Sequence, residues 1–431
     1  MYLYNQDWLN RELEVVPQMQ EDPYLAHNWL KNMSIGAEKH QVRILYCMPL
    51  FRHLLESVEF PQVTQMRSSG DYQPSDRIPN WRVGISNIWS IGLNLTPNKD
   101  VFWTSEVEDN SHKYNSDFER NPALQTALAV LSAGVVGPGD GPGFENEELI
   151  MSTCRSDGLL LTPEYPLTMP HSQFIYNVFE NPKMLAHKTG DSVMTTSTRI
   201  NGHTFGVIFH ALSEEKRTVM LSDVYRINLN CDYVYYTGWE KYSRKFPGTV
   251  EFLKKNDEKT DANIVLPKTV PLNPLNKLDA RNFQVRYFSP VWEVAGNSHK
   301  IAFLGELDKW TTVSQQRVKS FSFDSYSVFV GMVFLVDEVR VEGKPVYFAV
   351  DGKVSTANCI SDNFHDSNEE IAFVLKLPEG TCVQKTSPVT ETPTTPSGEN
   401  LTTPSNSNTP IITMFQLILL FVYNFNFQHY P

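Results

Sequence analysis

Residues 1 to 165 alternate short apolar runs with stretches of helical periodicity, and this rhythm limits the fold more than any other feature of the chain. The sequence predicts strands at residues 2–6, 42–48, 63–72, 100–106 and 135–140, the third and fifth ending in Gly-containing turns. Between them lie helical patterns. Asp22 as cap and Pro23 at the first helical position open one whose Leu25, Trp29, Met33 and Ala37 recur at helical spacing. Residues 52–58 and 81–93 make two more, Asn121 and Pro122 open ALQTALAVLSAG, and ENEELIMSTCRSDG follows. Strand and helix in strict alternation imply a parallel sheet with crossover helices, either a barrel or a doubly wound sheet. Asp7, Asp71, Glu106 and Asp140 sit just after strands, and no GxGxxG or GxxxxGK[ST] follows any of them. This favours the barrel, in which those carboxylates share the face where active sites lie.

After Pro166 the texture changes. Runs such as RINGHTFGVIFHAL, RTVMLSDV and CDYVYYTGW alternate apolar and polar residues between Gly, Asn, Asp and Pro, as antiparallel strands do. The expected fold class is α/β plus all-β: an incomplete (β/α)8 TIM-type barrel of about five of the eight units, followed by antiparallel β-sandwich domains. The expected boundaries are 1–165 for the barrel part, 166–265 for a β-sandwich, 266–279 for a Pro-rich linker and 280–385 for a second β-rich segment. ELDKW, residues 306–310, reads as a hairpin surface or a carbohydrate-binding patch. His203, His210 and His299 are dispersed, with no HExxH, so no metal and no cofactor is expected.

Thr, Ser and Pro fill 17 of the 25 positions from 386 to 410, a composition that cannot bury a core and suits an O-glycosylated stalk. Residues 411–427 form an uncharged hydrophobic tail. At 1.5 Å per residue such a helix is short of the roughly 30 Å hydrocarbon core, and no Lys or Arg follows Lys385. Ser397 and Gly398 with the polar spacer beyond them fit a glycolipid-anchor signal; a short transmembrane helix is the alternative. Either implies an extracellular or cell-surface location and membrane attachment. MYLYNQDWLN has no secretion signal, which leads to the expectation that segments upstream complete the protein. A net charge of −12 with no basic patch disfavours nucleic acid as a partner. Of the five cysteines, Cys359 and Cys382 are the favoured disulfide pair.

RSSGD, residues 67–71, at a strand end resembles the segment that bears the acid/base Asp in the α-galactosidases of glycoside hydrolase family 27 and their clan relatives in families 31 and 36. YNQDW, with Asp7, falls two strands earlier, where that clan places its nucleophilic Asp, and LSAGVVGPGD resembles the last barrel strand. Together with YCMPLFRHLLESV, DVFWTSE and CRSDGLLLTPE these segments also resemble uncharacterised invertebrate proteins related to the clan. The resemblance implies a retaining α-glycosidase acting without cofactor on a carbohydrate. Its nucleophile is Asp7, its acid/base is Asp71, and Arg67, Trp103 and Asp140 grip the sugar. Two carboxyls about 5 to 5.5 Å apart do that chemistry, one attacking the anomeric carbon while the other protonates the leaving oxygen. Counted against the clan, three strand and helix units that precede Asp7 are missing. The residues alone leave other readings open: Asp7 as a loop or capping acid, Asp71 as turn chemistry, Glu106 and Asp140 as solvated or capping groups, Cys47 and Met48 as core. A non-catalytic, membrane-tethered carbohydrate-binding or adhesion protein is the alternative for the whole chain.

Overall fold

Four parallel strands, β1 (Tyr2–Gln6), β2 (Val42–Tyr46), β3 (Val63–Arg67) and β4 (Thr96–Asn98), lie side by side in chain order. In the computed structural model the described residues are 2–74, 83–108, 118–175, 193–211, 217–241, 243–254, 264–266, 283–294, 296, 298–340, 342–361 and 369–385. They belong to one compact unit, Met1–Ser387. The stalk, the hydrophobic tail and all of the expected linker except Leu266 lie outside them.

Helices supply the crossovers. Between β1 and β2 run α1 (Leu9–Val15), α2 (Pro17–Glu21) and α3 (Pro23–Lys39). Asp22 caps α3 by accepting the Tyr24 N–H at 2.9 Å. Its fully buried stripe is Ala26, Leu30 and Ser34, with Trp29, Met33 and Ala37 half-buried beside it. Leu25, expected on the inner face, is 40% exposed: the buried stripe sits one residue further round the helix. The short α4 (Phe51–Glu56) follows β2, and α5 (Val83–Gly92) joins β3 to β4.

The expected fourth and fifth strands are much reduced. Of residues 100–106 and 135–140, only Phe102 and Pro138 pair, in one parallel bridge, while the ladder to β3 is carried by Thr96–Asn98. The helix between them, α6 (Pro122–Leu131), is capped by Asn121 and buried over nine of its ten residues. Gly134, in the turn after it, lies against β4 so closely that a Cβ there would fall 1.7 Å from the Pro97 carbonyl oxygen. The predicted helix over ENEELIMSTCRSDG forms only as α7 (Glu147–Met151), and α8 (His171–Ile175) follows.

The rest is antiparallel. Its strands are β5 (Val193–Ile200), β6 (His203–Ala211), β7 (Arg217–Val219), β8 (Tyr233–Lys241), β9 (Ser243–Arg244), β10 (Glu251–Leu253), β11 (Ile264–Leu266), β12 (Phe283–Glu293), β13 (Lys300–Gly305), β14 (Val318–Phe323), β15 (Val328–Leu335), β16 (Lys344–Val350), β17 (Lys353–Cys359), β18 (Glu370–Leu377) and β19 (Thr381–Gln384). One sheet runs β10-β8-β12-β13-β16-β17, with β6 also on β12 and β5 on β6. Because β12 pairs with β6 and β8 on one side of the expected linker and with β13 on the other, the two β-rich segments share a sheet.

A second sheet, β14-β15-β18-β19, packs over the C-terminal half of the first. Ile301, Phe303, Val346 and Phe348 meet Val330, Phe334, Phe373 and Leu375 in one apolar core, and the Cys359–Cys382 disulfide ties β17 to β19 as expected. The other half of the large sheet packs on α6, with Phe209, Val285 and Trp310 joining Leu124, Leu128 and Leu131. ELDKW is therefore not a surface. Glu306 is 2% exposed, Lys309 7% and Trp310 1%. The Lys309 ammonium donates to the carbonyls of Met151 (2.6 Å) and Cys154 (2.7 Å), and the Trp310 N–H to that of Ser152 (3.1 Å), so the segment bolts the end of α7 to the β-sheet.

Candidate functional site

All four parallel strands run the same way, so their C-terminal ends deliver Asp7, Cys47, Arg67 and the residues after β4 to one edge of the sheet. The Cys47 N–H donates to the Gln6 carbonyl at 2.9 Å, which sets Cys47 beside Asp7. Its thiol hydrogen-bonds the Asp7 side chain, and burial above all, then that bond, pushes the thiol up to about 12. Cys47 is therefore a neutral donor at physiological pH rather than a nucleophile. Asp7 also accepts the N–H of Trp8 at 2.7 Å.

Both strand ends carry backbone strain. Trp8, after Asp7, has φ 61°, and Met48, after Cys47, has φ 50°. Neither residue is one that adopts the left-handed region cheaply; each costs on the order of 1 kcal/mol or more. The turn at Trp8 leaves its indole 55% exposed next to the Asp7 carboxylate.

Arg67 ends β3 with its side chain only 10% exposed. It ion-pairs with Asp71, and its Nη1 lies 3.5 Å from Asp100. Its Nε donates to the Ser69 carbonyl at 3.2 Å. Burial opposes the guanidinium's charge, but Asp100 and Asp71 outweigh it and raise its pKa. Asp100, expected as the first residue of a strand, is the hub of the turn. Its second carboxylate oxygen accepts the Tyr72 N–H at 2.7 Å, and its own N–H donates to Ser69 Oγ at 2.8 Å. The Cys47 thiol lies in the field of Asp7, Arg67 and Asp100 together, which places those groups around it.

Behind this edge sits a buried layer that no motif announced. The Tyr72 hydroxyl donates to Glu119 at 2.7 Å and accepts the Trp103 N–H at 3.2 Å. Burial raises the Glu119 carboxyl and pulls the Lys99 ammonium down to about 8, Glu119 and Asp100 resisting the latter. Lys99 lies 4.7 Å from the Phe102 ring centroid and 5.5 Å from that of Tyr72.

The structure thus brings Asp7, Arg67 and Asp71 to one edge and gives Trp103 and Asp140 other work. Trp103 is 4% exposed, and its backbone N–H donates to the Tyr72 hydroxyl. Asp140 caps the loop after β4: it accepts the N–H groups of Thr104 (2.7 Å) and Ser105 (3.0 Å) and the Thr104 hydroxyl (2.9 Å). That is the capping role the residues alone allowed. Beside it Glu108 is raised, chiefly by burial, and accepts the Gly141 N–H at 3.0 Å. Among the described residues no group of three or more His, Cys, Asp or Glu is placed to hold a metal ion, and no helix is long and apolar enough to cross a membrane. The chain matches no family model and no curated protein sequence.

Proposed function

We propose that the strand-end cluster is the carbohydrate site of a retaining α-glycosidase, in a chain built as the C-terminal part of a (β/α)8 barrel with β-sandwich companions. The observation that carries the reading is the convergence of Asp7, Arg67, Asp71 and Asp100 at the C-terminal ends of adjacent parallel strands. The strand order β1-β2-β3-β4 supports it, because a barrel adds each strand beside the last whereas a doubly wound sheet reverses. Asp7, already holding the Trp8 N–H and the Cys47 thiol, is oriented as an acceptor and serves as the nucleophile. Asp71, 58% exposed, serves as acid/base, Arg67 binds sugar hydroxyls, and the exposed Trp8 ring stacks on the pyranose.

Turnover of nitrophenyl α-glycosides by the full-length, cell-surface protein tests this. Activity should fall to background in Asp7→Asn and in Asp71→Asn. Activity undiminished by either substitution removes the assignment.

One observation favours a second reading, carbohydrate binding without turnover. An acid/base must reach the leaving oxygen, and in the structure a carboxylate oxygen of Asp71 is engaged by Arg67 instead. Glycan binding that persists in Asp7→Asn, with no turnover by the parent protein, would select it.

A further inference from the structure

The buried layer behind the cluster has a use that the roles above leave unfilled. Tyr72 follows Asp71 directly and is fastened at both ends, its N–H to Asp100 and its hydroxyl to Glu119. Glu119 comes from 47 residues further along the chain. Its other carboxylate oxygen accepts the Asn121 N–H at 2.8 Å, and Asn121 caps α6 through the Leu124 N–H at 3.2 Å. Gln125, on the first turn of the same helix, reaches Glu119 Oε2 at 3.5 Å.

A line of hydrogen bonds therefore runs from the buried helix α6 through Glu119 and Tyr72 to the turn that presents Asp71. Burying a carboxylate 4% exposed costs several kcal/mol before its partners compensate. A neutral glutamine would offer the Tyr72 hydroxyl an acceptor without that cost. What the charge adds is a shorter, more strongly directional bond, and so a more closely defined phenol. Lys99, over the same ring and beside the same carboxylate, keeps the charge compensated.

We propose that Glu119 is a positioning residue that fixes Asp71 through Tyr72. The inference rests on the glycosidase reading only for what Asp71 does; the mechanical link to the turn stands apart from it. Hydrogen–deuterium exchange read by mass spectrometry compares the full-length protein with Tyr72→Phe, Glu119→Ala and Glu119→Gln. Tyr72→Phe and Glu119→Ala should speed exchange of amides 68–74 about tenfold or more and leave β12 and β15 at parental rates, whereas Glu119→Gln, which keeps an acceptor oxygen, changes them least. In turnover, Tyr72→Phe should lower kcat about tenfold with KM nearly unmoved, the signature of a displaced catalytic group. Unchanged exchange at 68–74 in both Tyr72→Phe and Glu119→Ala overturns the proposal. So does an equal rise across the whole chain, which marks a merely structural role, and so does faster local exchange with kcat intact. If the parent protein turns over no glycoside, the glycosidase reading falls, and the exchange comparison still decides whether Glu119 holds the turn.

Discussion

Arg67 in the α/β region and Arg317 in the β-sandwich are each set between two carboxylates, and they differ in what they leave open. Arg317 pairs with Glu306 at 2.7 Å and with both oxygens of Glu338 at 2.6 and 2.7 Å. The side chains of all three are nearly inaccessible, at 2%, 3% and 7%. Phe334 lies under the guanidinium, and Lys344 pairs with Glu306 at 3.2 Å from the other side. Arg67 also sits between two carboxylates, but Asp71 is 58% and Asp100 21% exposed, and both lie in the turns that follow the strands rather than within them. An arginine between two carboxylates is thus closed by a sandwich into a structural lock and left by a sheet edge with a wet, reachable carboxylate. Solvent access, not residue type, separates a part that only holds from a part that can act.

The comparison breaks most visibly at its closed member. Arg317→Met should destabilise the protein by about 3 to 5 kcal/mol, because two buried carboxylates lose their partner, as read by urea denaturation at neutral pH. A loss no larger than that of Arg67→Met would show that the two clusters are energetically alike. Next, Cys382→Ser opens a disulfide that closes a 23-residue separation. It should cost about 3 kcal/mol in the same assay, the loop-closure entropy of such a link, with reductant producing the same loss in the parent protein.

On the α/β side the buried imidazole of His53 offers a pH test. Burial first, then Arg52, lowers His53 from 6.5 to about 4. Between those values the unfolded chain binds a proton that the folded one refuses, so stability is full above pH 6.5 and falls as pH drops, by about 3 kcal/mol at the lower end. His53→Asn should flatten that part of a stability-against-pH curve; a slope that survives the substitution assigns it to other groups. Smallest in stability is Arg67→Met, at about 1 kcal/mol, since its partners are partly solvated. Its expected mark is on glycan binding, measured by calorimetry, and a variant that binds as the parent does would remove Arg67 from the site.

Much of this was legible beforehand, for reasons that can be named. The strands at 2–6, 42–46 and 63–67 are apolar runs bounded by turn residues, and the Asp22–Pro23 and Asn121–Pro122 pairs mark their helices by capping chemistry. β4 is hidden in the sequence because Thr96-Pro97-Asn98 carries a proline and looks like a turn, while the more strand-like 100–106 makes only a bridge at Phe102. The helix α1 has no start signal in the sequence, because it begins on a left-handed Trp8 without a side-chain cap. Asp7 and Arg67 are readable because they stand at strand ends, and Asp71 because it lies in the Ser/Gly turn after β3. Asp100 and Glu119 are not, since their importance comes from partners 28 and 47 residues away, a distance over which sequence carries no local signal. Conversely Trp103 and Asp140 look like sugar-binding residues in the sequence and are spent on the core and on a loop.

The buried Lys309 has a consequence for how the molecule comes apart. Its ammonium is dehydrated, with a lowered pKa chiefly from burial, and is held by the carbonyls at the end of α7. To peel the α/β region from the β-sheet, that ammonium would have to give up both carbonyls at once, while the apolar seam around Leu128, Phe209 and Trp310 opened to water. Neither half has a surface on which to stop, so heating should give one cooperative calorimetric transition across both regions rather than two resolved ones.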